Sequence, residues 1–476
     1  MTATTLAPRL ETLVLAHTLT YVVFATWAFG GNIGWAQPLL CAWGTAGAAL
    51  TVTALALRRR SHEPDALRPF RWLLPWLGLN AIILAGLANP SFARVPFFET
   101  EVLRPVATIS WLPSSARPDL AWRKLWLFDG LFLAGFNLAV AVRRRRTLRT
   151  LFLALAGNAL VLAVFGTVQK LLRADIYFGL ETSPNPAFFA TFFYHNHWGA
   201  FALMMTALCL GFVFHYARRP EHRDFWHSPA AAGLCATLVL AATLPLSTSR
   251  SSTLLAAVLL GGALLHALWL QLPSPRSARR PARSSALLIL LGAALGAGAI
   301  YGLGREVISQ RLAKTQEQLA TIRARGDLGD RVTLYRNTWR MARDRLWFGW
   351  GFDSYPTVFM LYNTQESTDR LPAYYQEAHS DWLQATAETG LIGATLLVLT
   401  GAWPLASRGI RACRSLLGRY LLAGCGLVAL YAWIEFPFDN PAVALTWWVL
   451  FFGALRYATL PDETYSRHAA PATVPA

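Results

Sequence analysis

Three polar residues lie outside the long apolar stretches and are candidates for chemistry. Arg250 lies in a Ser- and Thr-rich break between two such stretches, Arg331 follows Asp330, and His379 precedes the apolar stretch near 390–407. A histidine titrates near physiological pH and can accept a proton from a substrate hydroxyl group. An arginine at the end of a membrane span carries a large desolvation cost unless it is paired or reaches water.

Each candidate also has a structural explanation. Arg250 could reach water from a helix end, but cationic residues in short loops favour the cytoplasmic side, and Arg250 is predicted outside. A functional role is therefore favoured for Arg250. Arg331 could be a solvated partner of Asp327 or Asp330, and a lone histidine such as His379 is more often a hydrogen-bonded structural residue. The pattern alone favours the structural explanation for these two.

The composition indicates a membrane protein. Of 476 residues, 54% are hydrophobic and 14% are charged, which is too little charge to cover a soluble domain of this size. The net charge of +17 does not indicate nucleic acid as a partner, because the arginines cluster in short runs between apolar stretches. The five cysteines form no CxxC pair, so neither a zinc site nor a disulfide framework is expected.

About 12 apolar stretches have the length of roughly 20 residues that a membrane-spanning helix needs. They lie near 11–29, 36–57, 72–89, 125–142, 150–170, 196–216, 229–247, 252–271, 286–303, 390–407, 420–436 and 442–458. The first is expected to be a retained signal-anchor helix. The predicted fold class is an all-α polytopic membrane protein with about 12 transmembrane helices.

The charge of the connecting loops predicts the orientation. One set of loops is rich in Lys and Arg, whereas the short loops 30–37 and 435–441 on the other side carry neither. The positive-inside rule then places both termini in the cytoplasm. Three segments are predicted to face outward, at about 90–123, 171–195 and 304–389.

The predicted organisation has four parts. Residues 1–303 hold transmembrane helices 1–9, residues 304–389 form a periplasmic loop with the catalytic residues, and residues 390–458 hold helices 10–12. Residues 459–476 form a disordered cytoplasmic tail, since they are polar and rich in Pro and Ala.

An amphipathic helix is predicted inside the long loop. Apolar residues recur at helical spacing, and arginines occupy the other side. The apolar residues are Val332, Tyr335, Trp339, Ala342 and Leu346. This pattern predicts a helix that lies on the membrane surface; the alternative is an ordinary helix of a small loop domain.

Five motifs follow one another along the chain: Phe193-Tyr-His-Asn196-His197, Leu246-Ser-Thr-Ser-Arg250, the run from Arg331 to Gly351, the run from His379 to Gly393, and Glu435-Phe-Pro-Phe-Asp439-Asn-Pro-Ala442. In this order they resemble the motifs of the O-antigen ligase and polymerase superfamily of bacterial multi-span membrane glycosyltransferases. The similarity extends over about 155–455. The family often has Pro where Leu346 stands and Asn where Ser380 stands, which leaves the subfamily open.

The resemblance implies a GT-C-like fold and a glycan donor linked to polyprenyl diphosphate, such as undecaprenyl diphosphate. Arg250 and Arg331 would bind the diphosphate bidentately without a metal, with Arg336 as a weaker candidate. His379 would take the proton of the acceptor hydroxyl. Weaker candidates for substrate binding are Asn196, Glu388 and Asp439. No cofactor is implied, and the partners are the donor, an acceptor and the lipid bilayer of the bacterial inner membrane.

Several functions remain open. The acceptor could be lipid A core in a ligase, another repeat unit in an O-antigen or exopolysaccharide polymerase, or a protein Ser or Thr in an O-oligosaccharyltransferase. A membrane transporter or lipid flippase is the alternative of another class. Transporters usually place ionisable residues near the middle of the membrane, whereas here the charges gather at the outer ends of the spans.

Overall fold

The computed structural model describes residues 3–60, 65–98, 100–179, 183, 185, 187–218, 225–270, 330–365 and 374–461, and most of them are helical. The helices are α1 (Ala3–Trp27), α2 (Ala36–Arg60), α3 (Leu73–Leu87), α4 (Pro118–Ala141), α5 (Arg145–Leu171), α6 (His195–Ala217), α7 (Pro229–Leu246), α8 (Arg250–Trp269), α9 (Asp330–Asp344), α10 (Tyr355–Val358), α11 (Asp381–Arg414), α12 (Leu416–Tyr431) and α13 (Pro441–Tyr457). Short 3-10 turns lie at Phe29–Gly31, Arg68–Trp72, Ile176–Gly179, Phe359–Leu361 and Pro437–Asp439.

Within the described ranges, nine helical segments are long and apolar enough to cross a membrane, and α12 and α13 are shorter apolar helices. These eleven coincide with eleven of the twelve predicted stretches. The twelfth, 286–303, lies outside the described residues, as do the first part of the long loop and most of the tail 459–476. The protein is therefore a polytopic helical membrane protein.

The core of the bundle forms around α4, α6 and α13, whose residues are mostly buried. Helix α4 packs against α2 and α13, and α6 packs against α7 and α12. At the crossing of α2 and α4, a Cβ added to Gly44 would lie 2.6 Å from the Cα of Gly130. Small residues let two membrane helices approach this closely.

A β-hairpin departs from the all-α prediction. Strand β1 (Phe92–Phe97) pairs antiparallel with β2 (Thr100–Pro105) in the segment 90–123 that was predicted to face outward. Arg94 of β1 forms an ion pair with Asp119 at the start of α4, so the hairpin is joined to the bundle by charge.

Helix α9 packs through a face that overlaps the predicted apolar stripe only in part, at Ala342. Leu334, Met341 and Ala342 are buried in a small core with residues of α10 and α11. Val332 and Trp339 of the stripe are 38% and 44% exposed. The helix thus belongs to a small packed unit of the loop, as the alternative interpretation had it.

Candidate active site

The side chain of Glu435 joins two of the predicted catalytic residues. Its Oε1 accepts a hydrogen bond of 2.5 Å from Arg331 Nη2, and its Oε2 lies 3.4 Å from His379 Nδ1. Glu435 is 3% exposed in the turn between α12 and α13, and Arg331 is in the first turn of α9. Three separate elements therefore bring a guanidinium, a carboxylate and an imidazole into one network.

The charge state of Glu435 determines what the network can do. Burial of the carboxyl acts to raise its pKa, but the hydrogen bond with His379 and the charge of Arg331 outweigh burial, so the pKa of Glu435 is lowered. An ionised Glu435 accepts a hydrogen bond from Nδ1–H of His379. The neutral imidazole then carries its lone pair on Nε2, which is the nitrogen able to accept a proton.

His379 is held in an unusual backbone conformation. Its φ of +51° lies in the left-handed region, which costs a non-glycine residue free energy and persists only where the surroundings impose it. The hydroxyl of Tyr335 on α9 donates to the His379 carbonyl at 2.9 Å, and the His379 ring packs edge-on against Phe436 at 5.0 Å. These contacts fix the imidazole relative to α9 and to the turn that carries Glu435.

A chain of polar side chains connects this network to the start of α8. Tyr194 donates to Glu435 Oε2 at 3.2 Å, Asn196 Nδ2 donates to the Tyr194 hydroxyl at 2.7 Å, and Ser249 Oγ donates to Asn196 Oδ1 at 2.6 Å. Ser249 immediately precedes Arg250, the first residue of α8. The chain thereby ties the backbone next to Arg250 to the carboxylate that holds His379.

A cleft of about 1190 Å³ opens beside His379. Besides His379, its lining combines cations, carboxylates, amides and aromatic rings, among them Arg117, Arg123, Lys124, Tyr194, Tyr375 and Asp439. Arg250 and Arg331 are not among the described residues that line it. The cleft therefore lies to one side of the network, with His379 at its wall.

Lys124 balances two of the carboxylates in the cleft. Its Nζ lies 2.6 Å from Asp439 Oδ1 and 3.9 Å from Asp353 Oδ1. Burial acts to raise the pKa of Asp439, but the charge and hydrogen bond of Lys124 outweigh burial and lower it. At Glu377, burial and the negative charge of Asp439 outweigh the charge of Lys124 and raise the pKa of the carboxyl well above the ordinary value.

The Gly349-Trp-Gly351 motif docks against a break in α11. Gly390 has φ +66° and ψ −177°, and a Cβ there would lie 2.3 Å from the carbonyl carbon of Trp347. The break frees backbone groups that bond across the contact, including Gly351 N to Glu388 O at 2.8 Å and Leu391 N to Leu346 O at 2.8 Å. The glycines are therefore required by this close approach, which fixes the loop to the membrane helix.

The other predicted site residues have different surroundings. Glu388 is buried and accepts hydrogen bonds from the backbone amides of Asp353 (2.9 Å) and Tyr355 (3.1 Å). Those contacts give Glu388 a structural role in the docked loop, apart from the lining of the cleft. Arg336 is an exposed residue of α9, next to Tyr335 in the chain, and Arg250 is also exposed.

Sequence reasoning did not single out Glu435, Tyr194 or Lys124. Tyr194 belongs to the same motif as Asn196, and Glu435 belongs to the same motif as Asp439. The motifs were therefore the signal that could have identified both residues. Lys124 lies just before the predicted span 125–142, outside every quoted motif. Among the residues that the structure describes, no three His, Cys, Asp or Glu side chains are grouped as ligands for a metal ion.

The fold and the site define a polytopic membrane protein with an Arg–Glu–His network, carried by its loops and turns, beside a polar cleft. A family model described as O-antigen ligase matches residues 235–398. This match covers about a third of the chain and supports its resemblance to the O-antigen ligase and polymerase superfamily. The matched segment includes Arg250, Arg331 and His379, whereas Glu435 lies beyond it. A search of curated proteins finds no match.

Proposed function

We propose that the protein transfers a glycan from a polyprenyl-diphosphate carrier to an acceptor hydroxyl at the periplasmic face of a bacterial inner membrane, with both termini in the cytoplasm. The observation that carries this proposal is the Glu435 carboxylate, which contacts Arg331 and His379 at once. The contact supports the proposal because it joins a guanidinium that can bind phosphate to an imidazole that can accept a proton. The family match supports glycosyl transfer as the reaction class.

The arginines stabilise the leaving group. As the bond between the anomeric carbon and the phosphate oxygen breaks, its electron pair passes to the diphosphate, whose negative charge grows. Arg331 and Arg250 supply fixed positive charge to those oxygens in a setting of low dielectric constant. Arg331 is oriented by Glu435 and by the carbonyl of Ile434, 3.2 Å from Nη1.

His379 activates the acceptor. The acceptor oxygen forms the new bond to the anomeric carbon, and its proton passes to Nε2 of His379, which Glu435 leaves free by binding Nδ1. A base placed in this way contributes roughly 10²–10⁴-fold to the rate. No metal or cofactor is assigned a part in these steps.

The cleft on the other side of His379 is proposed to hold the acceptor. Mixed aromatic, amide and charged side chains of this kind bind the faces and hydroxyl groups of sugars. In this arrangement Asp439 contacts the acceptor, whereas Asn196 acts by supporting Tyr194. The donor diphosphate then binds to Arg250 and Arg331, and His379 lies between the donor and the acceptor.

The experiment must separate transfer from transport. Purified protein is reconstituted in liposomes with a polyprenyl-diphosphate-linked glycan and, in separate samples, a lipid A core acceptor, a second copy of the glycan donor or an acceptor protein. Mass spectrometry is expected to find the glycan covalently joined to one of these. Passage of the carrier lipid across the bilayer, with no covalent product in any sample, would instead identify a transporter or flippase.

A further inference from the structure

Six arginines gather at the end of the spans opposite to the cleft. Helix α4 contributes Lys124 to the cleft and α13 begins there with Pro441, and both helices run away from it. Since α13 has 17 residues and a helix rises 1.5 Å per residue, the far end lies about 25 Å away. The arginine cluster at that end consists of Arg58, Arg68, Arg143, Arg408, Arg411 and Arg456.

The arginine cluster brings like charges within range of one another. The positive charges of Arg58, Arg68 and Arg411 act on Arg408. Those of Arg58, Arg143 and Arg408 act on Arg456, with Glu11 as the opposing negative charge. Like charges held together at the edge of a low-dielectric region repel strongly. A bound anion would relieve that repulsion.

Arg408 also has an unmet hydrogen-bonding requirement. Its guanidinium stacks over the ring of Trp72 at 4.7 Å, and its Nη1 is buried without a hydrogen-bond partner among the described residues. A buried charged donor without an acceptor costs more free energy than a hydrogen bond returns. The position therefore calls for an acceptor oxygen that the described part of the chain does not supply.

Two other arginines are already fixed in place. Arg58 Nη2 donates to the carbonyl of Val140 at 2.9 Å, and Arg456 Nε donates to the carbonyl of Val142 at 2.7 Å. Both carbonyls lie at the end of α4. These contacts hold two of the charges rigidly. The binding of an anion between them therefore loses little side-chain conformational entropy.

The surroundings of the arginine cluster favour an amphiphilic anion. Leu405 and Ile410, on the same helix as Arg408, are 42% and 77% exposed. Leu74, two residues after Trp72, is 55% exposed. Apolar side chains exposed at the end of a membrane span contact acyl chains, and an adjoining basic pocket contacts headgroups.

We propose that the arginine cluster binds an anionic phospholipid, with the phosphate accepting hydrogen bonds from Arg408 and Arg411. The acyl chains then lie along the exposed apolar side chains of α11 and α3. The lipid joins the ends of α2, α4, α11 and α13, four helices whose other ends form or flank the proposed active site. This site is independent of the proposed glycan transfer.

The test measures lipid binding to the purified full-length protein in neutral detergent, by native mass spectrometry and by the rise in unfolding temperature. The probes are phosphatidylglycerol, the zwitterionic phosphatidylcholine, and inorganic phosphate. The variants are Arg408→Gln and Arg411→Gln. Arg411 is exposed, so its variant keeps the test valid if Arg408→Gln does not fold. Arg60→Gln, an exposed charge at the end of α2, is the matched control.

Phosphatidylglycerol is expected to bind and to raise the unfolding temperature, while phosphatidylcholine and phosphate do neither. Each cluster variant is expected to weaken phosphatidylglycerol binding by about fivefold, the size of one basic residue's contribution at an anionic surface. Arg60→Gln is expected to bind as the wild type does. Equal binding of phosphatidylcholine, equal stabilisation by phosphate, or undiminished binding by Arg411→Gln would each overturn the proposal.

Discussion

Lys124 of α4 and Asp439, 315 positions later in the chain, form an ion pair of 2.6 Å at the wall of the cleft. Lys124 is 29% exposed and Asp439 is 19% exposed, so water screens the pair only in part. The pair joins the fourth helix to the turn before the last one, and that same turn carries Glu435.

Removal of Lys124 should therefore destabilise the protein, because it leaves Asp439 and Asp353 without their cation. Lys124→Met is expected to cost roughly 1–3 kcal/mol, less than a fully buried pair would. The double variant Lys124→Met/Asp439→Asn should recover part of that loss, because the uncompensated carboxylate is gone. Thermal unfolding in detergent measures both, with Arg123→Met as the control at an exposed neighbouring cation. Additive effects of the two substitutions would show that the pair contributes nothing.

Glu377 should make stability depend on pH. Its pKa is raised in the folded protein and is about 4.3 in an unfolded chain. The neutral carboxyl is favoured by folding, so its contribution is complete below about pH 4 and declines as pH rises toward the folded pKa. The unfolding temperature of Glu377→Gln should thus exceed that of the wild type by an amount that grows between pH 5 and 8. Glu101→Gln, on the exposed hairpin, should show no such trend, and a constant difference for Glu377→Gln would refute the assignment.

Gly390→Ala should disrupt the docking of the loop on α11. A Cβ at this position meets the backbone of Trp347 at 2.3 Å, and φ is +66°, so strain and overlap together should cost about 2–5 kcal/mol. Gly157→Ala is the matched control, because a Cβ there meets nothing within 4 Å and alanine favours a helix. A similar unfolding temperature for the two variants would mean that the close approach is not required.

Glu435→Gln tests whether this residue positions His379. The amide can no longer hold the Nδ1–H tautomer by charge, so turnover is expected to fall by about 10–100-fold, a part of what a general base supplies. The affinity for the donor should change much less, because Arg250 and Arg331 remain. Steady-state transfer kinetics separate the two quantities. Unchanged turnover, or a loss confined to donor affinity, would remove the positioning role.

The spans could be predicted from the sequence because a membrane helix needs a continuous run of roughly 20 apolar residues, which is a local signal. Eleven apolar stretches coincide with helices, and even the predicted boundary at 389–390 falls at the break of α11 at Gly390. The hairpin formed by Phe92–Phe97 and Thr100–Pro105 was missed because its strands are short and lie within a segment that was read as a loop. On α9 only Ala342 of the predicted stripe is fully buried, because Leu334 and Met341, which lie outside the stripe, fill the rest of the contact.

The site was predictable in part. The motifs identified Arg331 and His379, which the structure joins through one carboxylate, and they included Glu435 without giving it a role. Glu435 lies 56 positions after His379 and 104 positions after Arg331. No local sequence pattern predicts contacts over such separations, because they depend on how α9, α11 and α12 pack. Glu388 was predicted as a site residue because it belongs to one of the motifs. In the structure its carboxylate oxygens accept hydrogen bonds from backbone amides instead.

Glycan transfer by purified His379→Ala and Arg331→Ala, with donor binding measured on the same samples, tests the central claim most directly. Arg340→Ala, an exposed arginine on the helix of Arg331, is the control. The account predicts that both variants still bind the polyprenyl-diphosphate donor, Arg331→Ala more weakly because one of the two arginines is gone, but transfer at least about 100-fold less glycan, while Arg340→Ala retains wild-type transfer. Near-normal transfer by both His379→Ala and Arg331→Ala would contradict it.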